Sequence, residues 1–219
     1  MTEEEIRIAV DDFAVTASVH GTGATAIVLG HGAGGNRRNP QQLRIAEALA
    51  ASGRRVVLYN FRYSEQRRNA PDKPEILERT TAAVGERAAG LPGVERVVHG
   101  GRSMGGRIAS QVVSAGAPAA GLMLFAYPLH PPGRPERLRD AHLPAIRVPM
   151  LFVQGTRDAF ARWDLFEAVL GRLGKRATLE AVVEGDHSFK VPKRTGLTPV
   201  QVEAQIRDAA LGWLDRCGL

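Results

Sequence analysis

The chain has 219 residues, 44% hydrophobic and 24% charged, enough apolar material for one domain (1–219) with a full core. One cysteine, Cys217, excludes a disulfide framework, no apolar run approaches the ~20 residues of a membrane helix, and the acidic start Met1 to Glu5 is unlike a secretion leader, so the chain reads as cytoplasmic. The formal charge of +6 raises nucleic acid as a partner, but lysine occurs only at Lys73, Lys175, Lys190 and Lys193, and the chain lacks zinc-ligand spacing, RNP-like aromatics and any run of five basic residues, so none is expected.

Ile6 to Val10 and Phe13 to Val19, separated by Asp11-Asp12, predict an antiparallel pair, followed by a buried strand over Thr25 to Gly30. Asn39-Pro40 opens a helix whose stripe Leu43, Ala46, Leu49, Ala50 ends at Gly53, and a strand follows over Arg55 to Phe61. A helix over Pro74 to Ala89 leads to a strand over Val94 to His99, then to a helix beginning after Ser103. Gly121 to Ala126 and Pro149 to Gln154 are continuous apolar runs, as strands covered on both faces require. A helix from Trp163 to Leu173, a strand over Thr178 to Val183 and a last helix from Thr198-Pro199, lined by Val202, Ile206, Ala209 and Trp213, complete the order. The alternation predicts an α/β domain: a mostly parallel central sheet with an antiparallel N-terminal part and helices on both faces.

Gly101-Arg102-Ser103-Met104-Gly105 lies between a strand and a helix, the setting in which G-x-S-x-G forms a turn too sharp for flanking side chains and exposes a serine hydroxyl. Ser103 is therefore the candidate nucleophile. The Met104 N–H, at the helix start, is one candidate oxyanion donor; that of Ala33, in the loop Gly30 to Gly35, is the other.

In an open α/β sheet, chemistry gathers in the loops that follow the carboxyl ends of strands. Two such loops carry Asp158, in Gln154 to Asp158, and His187, in Glu184 to Phe189. A serine needs a base near neutral pH, and that base needs a carboxylate to fix its tautomer, so His187 is the expected base and Asp158 the orienting acid. Asp186 is adjacent to His187 and would point away from it; Asp164 is the reserve. His31 and His99 read as structural histidines, and His130 and His142 have no carboxylate or cysteine at metal-ligand spacing. No metal or cofactor is expected.

These strings, with Asn60-Phe61-Arg62-Tyr63, resemble the α/β-hydrolase superfamily from end to end. Within it they are similar to the dienelactone-hydrolase-like group that includes the testis-expressed protein 30 and NSL-complex subunit 3 domains. The resemblance implies a serine hydrolase, although that group is also similar to proteins that serve as subunits of larger assemblies. Dienelactone hydrolases proper use a cysteine nucleophile, which this site lacks.

The connection His130 to Val148 is too short for a lid domain, so an open site for small soluble substrates is expected. Loops at the carboxyl edge hold 17 Lys/Arg against 7 Asp/Glu, a surplus that would attract an anionic ester. Arg37, Arg38, Arg62, Arg67, Arg68, Arg102 and Arg157 are its expected contributors, with Arg62, Arg67, Arg102 and Arg157 assigned to substrate. The expected function is a serine esterase acting through an acyl-enzyme on a small-molecule ester; a non-catalytic interaction module on the same fold and an acyltransferase are the alternatives. The residues leave the oligomeric state open.

Overall fold

The fold is known from a computed structural model, which describes residues 3–219. A hairpin of β1 (Glu3–Val10) and β2 (Phe13–His20) turns at Asp11, whose φ is 50°. β2 then runs antiparallel to β4 (Arg55–Tyr59), which lies beside β3 (Thr25–Gly30). From there the sheet is parallel through β5 (Arg96–Arg102), β6 (Gly121–Phe125), β7 (Met150–Gly155) and β8 (Ala177–Val182), in the spatial order β1-β2-β4-β3-β5-β6-β7-β8.

Alternation of side chains along each strand assigns the helices to faces. On β3, Ile27 and Leu29 pack with Ile45 and Leu49 of α1 (Pro40–Ala51) and with Ile206 and Trp213 of α6 (Pro199–Cys217). Ala26 and Val28, one residue out of phase, pack with Leu77 and Val84 of α3 (Pro74–Ala89) and Ile108 and Val112 of α4 (Met104–Ser114). α5 (Trp163–Leu173) uses Phe166 and Val169 against Leu122, Leu124 and Phe152. The sheet is thus covered by α1 and α6 on one side and by α3, α4 and α5 on the other, a mostly parallel α/β fold with an antiparallel beginning.

Element boundaries shift where loop bonds intervene. β4 ends at Tyr59, not Phe61, because the Phe61 N–H is taken by the ring of His31. A single turn, α2 (Arg62–Glu65), follows, too short to leave a periodic signal. β5 begins at Arg96 and runs to Arg102, since the N–H groups of Glu95 and Arg96 both go to the Ala24 carbonyl. β8 stops at Val182, whose carbonyl accepts from both Thr156 and Gly185, so Val183 is 63% exposed. On α6 the buried stripe uses Ala210 in place of Ala209.

The connection from β6 to β7 holds one 3-10 turn, Leu143–Ala145, and no lid helix. No helix among the described residues is long and apolar enough to cross a membrane.

Candidate functional site

The end of β5 packs so closely on β3 that only glycine fits. A Cβ on Gly101 or Gly105 would collide with the Gly30 carbonyl, and Gly101 has a φ of 150°. Between them Ser103 adopts φ 51° and ψ −116°, a conformation few side-chain-bearing residues occupy. Its N–H donates to the Phe125 carbonyl at 2.8 Å, and α4 starts at the next residue. The hydroxyl is thereby lifted off the sheet edge at a helix N-terminus.

The loops after β7 and β8 deliver Asp158 and His187 to that hydroxyl. His187 Nδ1 lies 2.7 Å from Asp158 Oδ2, and His187 Nε2 lies 2.9 Å from Ser103 Oγ. A carboxylate can only accept, so Nδ1 carries the proton and Nε2 is left to accept from the serine hydroxyl. Asp158 is tied down further: Oδ2 also accepts from Gln154 Nε2 at 2.6 Å and Oδ1 from the Phe160 N–H at 2.8 Å. The Asp158 side chain is fully buried, whereas His187 keeps 20% of its side chain exposed, so a solute approaches the chain of bonds from the histidine end. Such an arrangement can draw a proton from Ser103 and hold it on an imidazole whose orientation is fixed.

Asp186 is occupied elsewhere, its Oδ1 accepting from the N–H groups of Ser188 and Lys190. Asp164 pairs with Arg162 at 2.8 Å on the surface. Sequence reasoning missed Gln154 and Phe160. The Phe160 ring stacks on His187 with centroids 4.2 Å apart. Gln154 reads as a strand residue in an apolar run, and nothing in its spacing marks it.

The loop after β3 places Ala33 in an exposed position. Among the described residues, no side chain and no loop carbonyl accepts from the N–H of Ala33 or Met104. Below it His31 is 1% exposed; its Nδ1 donates to the Gly32 carbonyl at 2.8 Å and its Nε2 accepts from Phe61 at 3.2 Å. Burial pushes its pKa down to about 4, so the ring is neutral. The Tyr63 hydroxyl, 3.3 Å from the same Gly32 carbonyl, completes the brace. Asn60 Oδ1 accepts from the Arg37 N–H at 2.8 Å, so the string Asn60 to Tyr63 holds this loop in shape.

The other histidines are structural too. His99 is buried against Gly85, where a Cβ would strike its ring. His130 accepts from the Arg162 N–H, and His142 is bonded to Ser110. No group of three or more His, Cys, Asp or Glu among the described residues could hold a metal ion.

The arginines are less free than their number suggests. Arg37 is buried and paired with Glu3 and Glu5, Arg68 is paired with Asp72, and Arg38 lies 3.9 Å from both Glu3 and Glu5. Arg62 stacks over the Phe13 ring at 4.6 Å, on the hairpin side of the sheet. Arg157 is 3.5 Å from Glu184. Arg102 donates through Nη2 to the His187 carbonyl at 3.0 Å and lies against Gly32, joining the two loops that flank Ser103. Burial lowers its pKa and the charges of Asp158 and Asp186 oppose that shift. Arg67 is exposed, with no ion-pair partner among the described residues.

Comparison with known proteins agrees with this architecture. Residues 23–215 match the model of the family described as "Alpha/beta hydrolase domain". A dienelactone hydrolase from Anabaena variabilis superposes with a TM-score of 0.75 at 20% identity, covering 98% of this chain and 97% of the other. A lidless α/β serine hydrolase from Xanthomonas campestris gives 0.73 at 19% identity, with 97% and 95% covered. Est1E from Butyrivibrio proteoclasticus gives 0.72 at 14% identity, with 96% and 99% covered. At these identities the likeness is one of fold.

Proposed function

Because the chain belongs to the alpha/beta hydrolase domain family, we propose that it is a serine hydrolase of the esterase type, acting on a small soluble ester through an acyl-enzyme on Ser103. The observation that carries this reading is the unbroken chain from Ser103 Oγ to His187 to the buried Asp158, at 2.9 and 2.7 Å.

Ser103 Oγ attacks the ester carbonyl carbon as His187 Nε2 takes its proton. The carbonyl oxygen becomes an oxyanion at the N–H groups of Met104 and Ala33, strengthened by the positive end of α4. Collapse of this intermediate breaks the bond to the leaving alcohol, which receives the proton from His187. Water then repeats the sequence on the acyl-enzyme, releasing the acid and returning the proton to Ser103. Asp158 orients the imidazole and stabilises its charged form.

The absence of a lid helix suits a compact substrate, and the surplus of 17 Lys/Arg over 7 Asp/Glu in the loops at the carboxyl edge favours one carrying a negative charge. The strings Gly30 to Gly35 and Asn60 to Tyr63 are the residues on which we place the chain near the testis-expressed protein 30 and NSL-complex subunit 3 group.

A fluorophosphonate probe tests the reading. Wild-type protein is expected to be labelled and the Ser103→Ala variant not. A folded wild-type protein that takes no label would refute it.

A further inference from the structure

Beside Ser103, and lined by neither Ser103 nor His187, is a cavity of about 630 Å³ on the side of the sheet covered by α1 and α6. Its cations are Arg44, which is paired with Glu203 of the same lining, and the unpaired Arg102 and Lys190; its apolar wall includes Val191, Leu197 and Val202. Asn39 and Pro199, at the starts of α1 and α6, also border it. Both helix starts are capped by their own side chains, so they contribute a positive field and not free donors.

Two of these cations make no ion pair. Arg102 has no carboxylate within ion-pair distance among the described residues; its Nε is buried without any partner, and Nη2 reaches only the His187 carbonyl and, at 3.4 Å, the Ser188 hydroxyl. Lys190 likewise has no ion pair among the described residues and is exposed. The nearby acids are committed: Asp158 to His187, Gln154 and Phe160, Asp186 to the N–H groups of Ser188 and Lys190, and Glu203 to Arg44 at 2.8 Å. A partly buried guanidinium whose Nε has no partner and which touches no carboxylate gains from an anion that makes charge-assisted hydrogen bonds to it.

The apolar wall says what the anion is attached to. Past the Arg44–Glu203 pair the cavity adjoins a groove of about 430 Å³ between α1 and α6, walled by Ile45, Ala48, Val200 and Ala204. Val200 is 74% exposed at its rim, an apolar side chain with nothing over it.

We propose that this cavity is a binding site for a soluble amphipathic carboxylate, with the head between Arg102 and Lys190 and a medium-length alkyl tail along Leu197 and Val202 toward the α1–α6 groove. The site is separate from the reaction proposed for Ser103 and does not depend on it.

Isothermal titration of the full-length Ser103→Ala protein with sodium octanoate tests the site without turnover. One octanoate is expected to bind per chain, with acetate at least tenfold weaker. Lys190→Gln and Leu197→Asp, both on an exposed loop, should each weaken octanoate about tenfold or more, the loss of one charge-assisted contact or of the tail's wall. Octanoate should also raise the thermal midpoint of the parent and do so less in each variant, which separates lost binding from lost folding. No binding at millimolar octanoate, equal affinity for acetate, unchanged affinity in both variants, or sedimentation with phosphatidylglycerol vesicles in place of octanoate binding would each overturn the proposal.

Discussion

The Phe160 ring stacks on the imidazole of His187 with planes 30° apart, while the Phe160 backbone N–H donates to the carboxylate that orients that same imidazole. One residue thus holds His187 by its side chain and Asp158 by its main chain. Phe160→Ala removes only the first hold. Its kcat/KM on a p-nitrophenyl ester is expected to fall roughly tenfold, mostly in kcat, with Phe160→Tyr close to wild type. Steady-state kinetics with an unchanged circular dichroism spectrum checks this; an alanine variant as active as wild type would remove Phe160 from the positioning of His187.

Gln154 donates to Asp158 Oδ2, and its own Oε1 is buried without a partner. A hydrogen bond to a charged group contributes about 1.5–3 kcal/mol, but the amide oxygen already costs part of that. Gln154→Leu is therefore expected to destabilise by only about 1–2 kcal/mol, seen as a lower urea midpoint at constant slope.

Two glycines near Ser103 have opposite tolerance. A Cβ at Gly105 meets the rigid Gly30 carbonyl, whereas one at Gly32 meets Arg102 Nη1 at 3.4 Å and Ser103 Cβ at 3.6 Å, ordinary contacts. Gly105→Ala is expected to cost about 3 kcal/mol or more, or to give no soluble protein, while Gly32→Ala costs under about 1 kcal/mol. Thermal unfolding of the two variants side by side decides it.

Much of this was legible in the chain because the relevant signals are local. Asn39-Pro40 and Thr198-Pro199 mark helix starts through capping and a fixed φ, and Gly101 to Gly105 mark a turn that other residues would block. The order of Ser103, Asp158 and His187, after β5, β7 and β8, could be read because a parallel sheet sends all its strand ends to one edge. What escaped depends on individual hydrogen bonds that periodicity does not display. Gln154, near the end of β7, gains its meaning only from a carboxylate four residues on, and α2 from bonds to the Phe61 carbonyl. The arginines gave the least, since sequence counts charges and cannot see that Arg37 lies buried with Glu3 and Glu5, or that Arg62 covers Phe13.

His31 and His99 are both held neutral by burial, each with a pKa near 4 against an ordinary 6.5. The unfolded chain therefore takes up more protons than the folded one between those values. Their contribution is complete above about pH 6.5 and is lost as pH falls toward 4, on the order of 3 kcal/mol for each histidine. Urea unfolding at pH 7.5, 6, 5 and 4.5 should show a steady decline, and His99→Gln should make it shallower. A flat profile over this range would contradict the neutral buried state of both rings.

The brief crossing from β6 to β7 leaves this protein without a door. For the proposed reaction, no helix of this crossing has to swing aside before a solute arrives or a product departs. Discrimination must then be built into rigid contour, and the exposed bend around Gly133 is the natural place to graft a cover onto the scaffold.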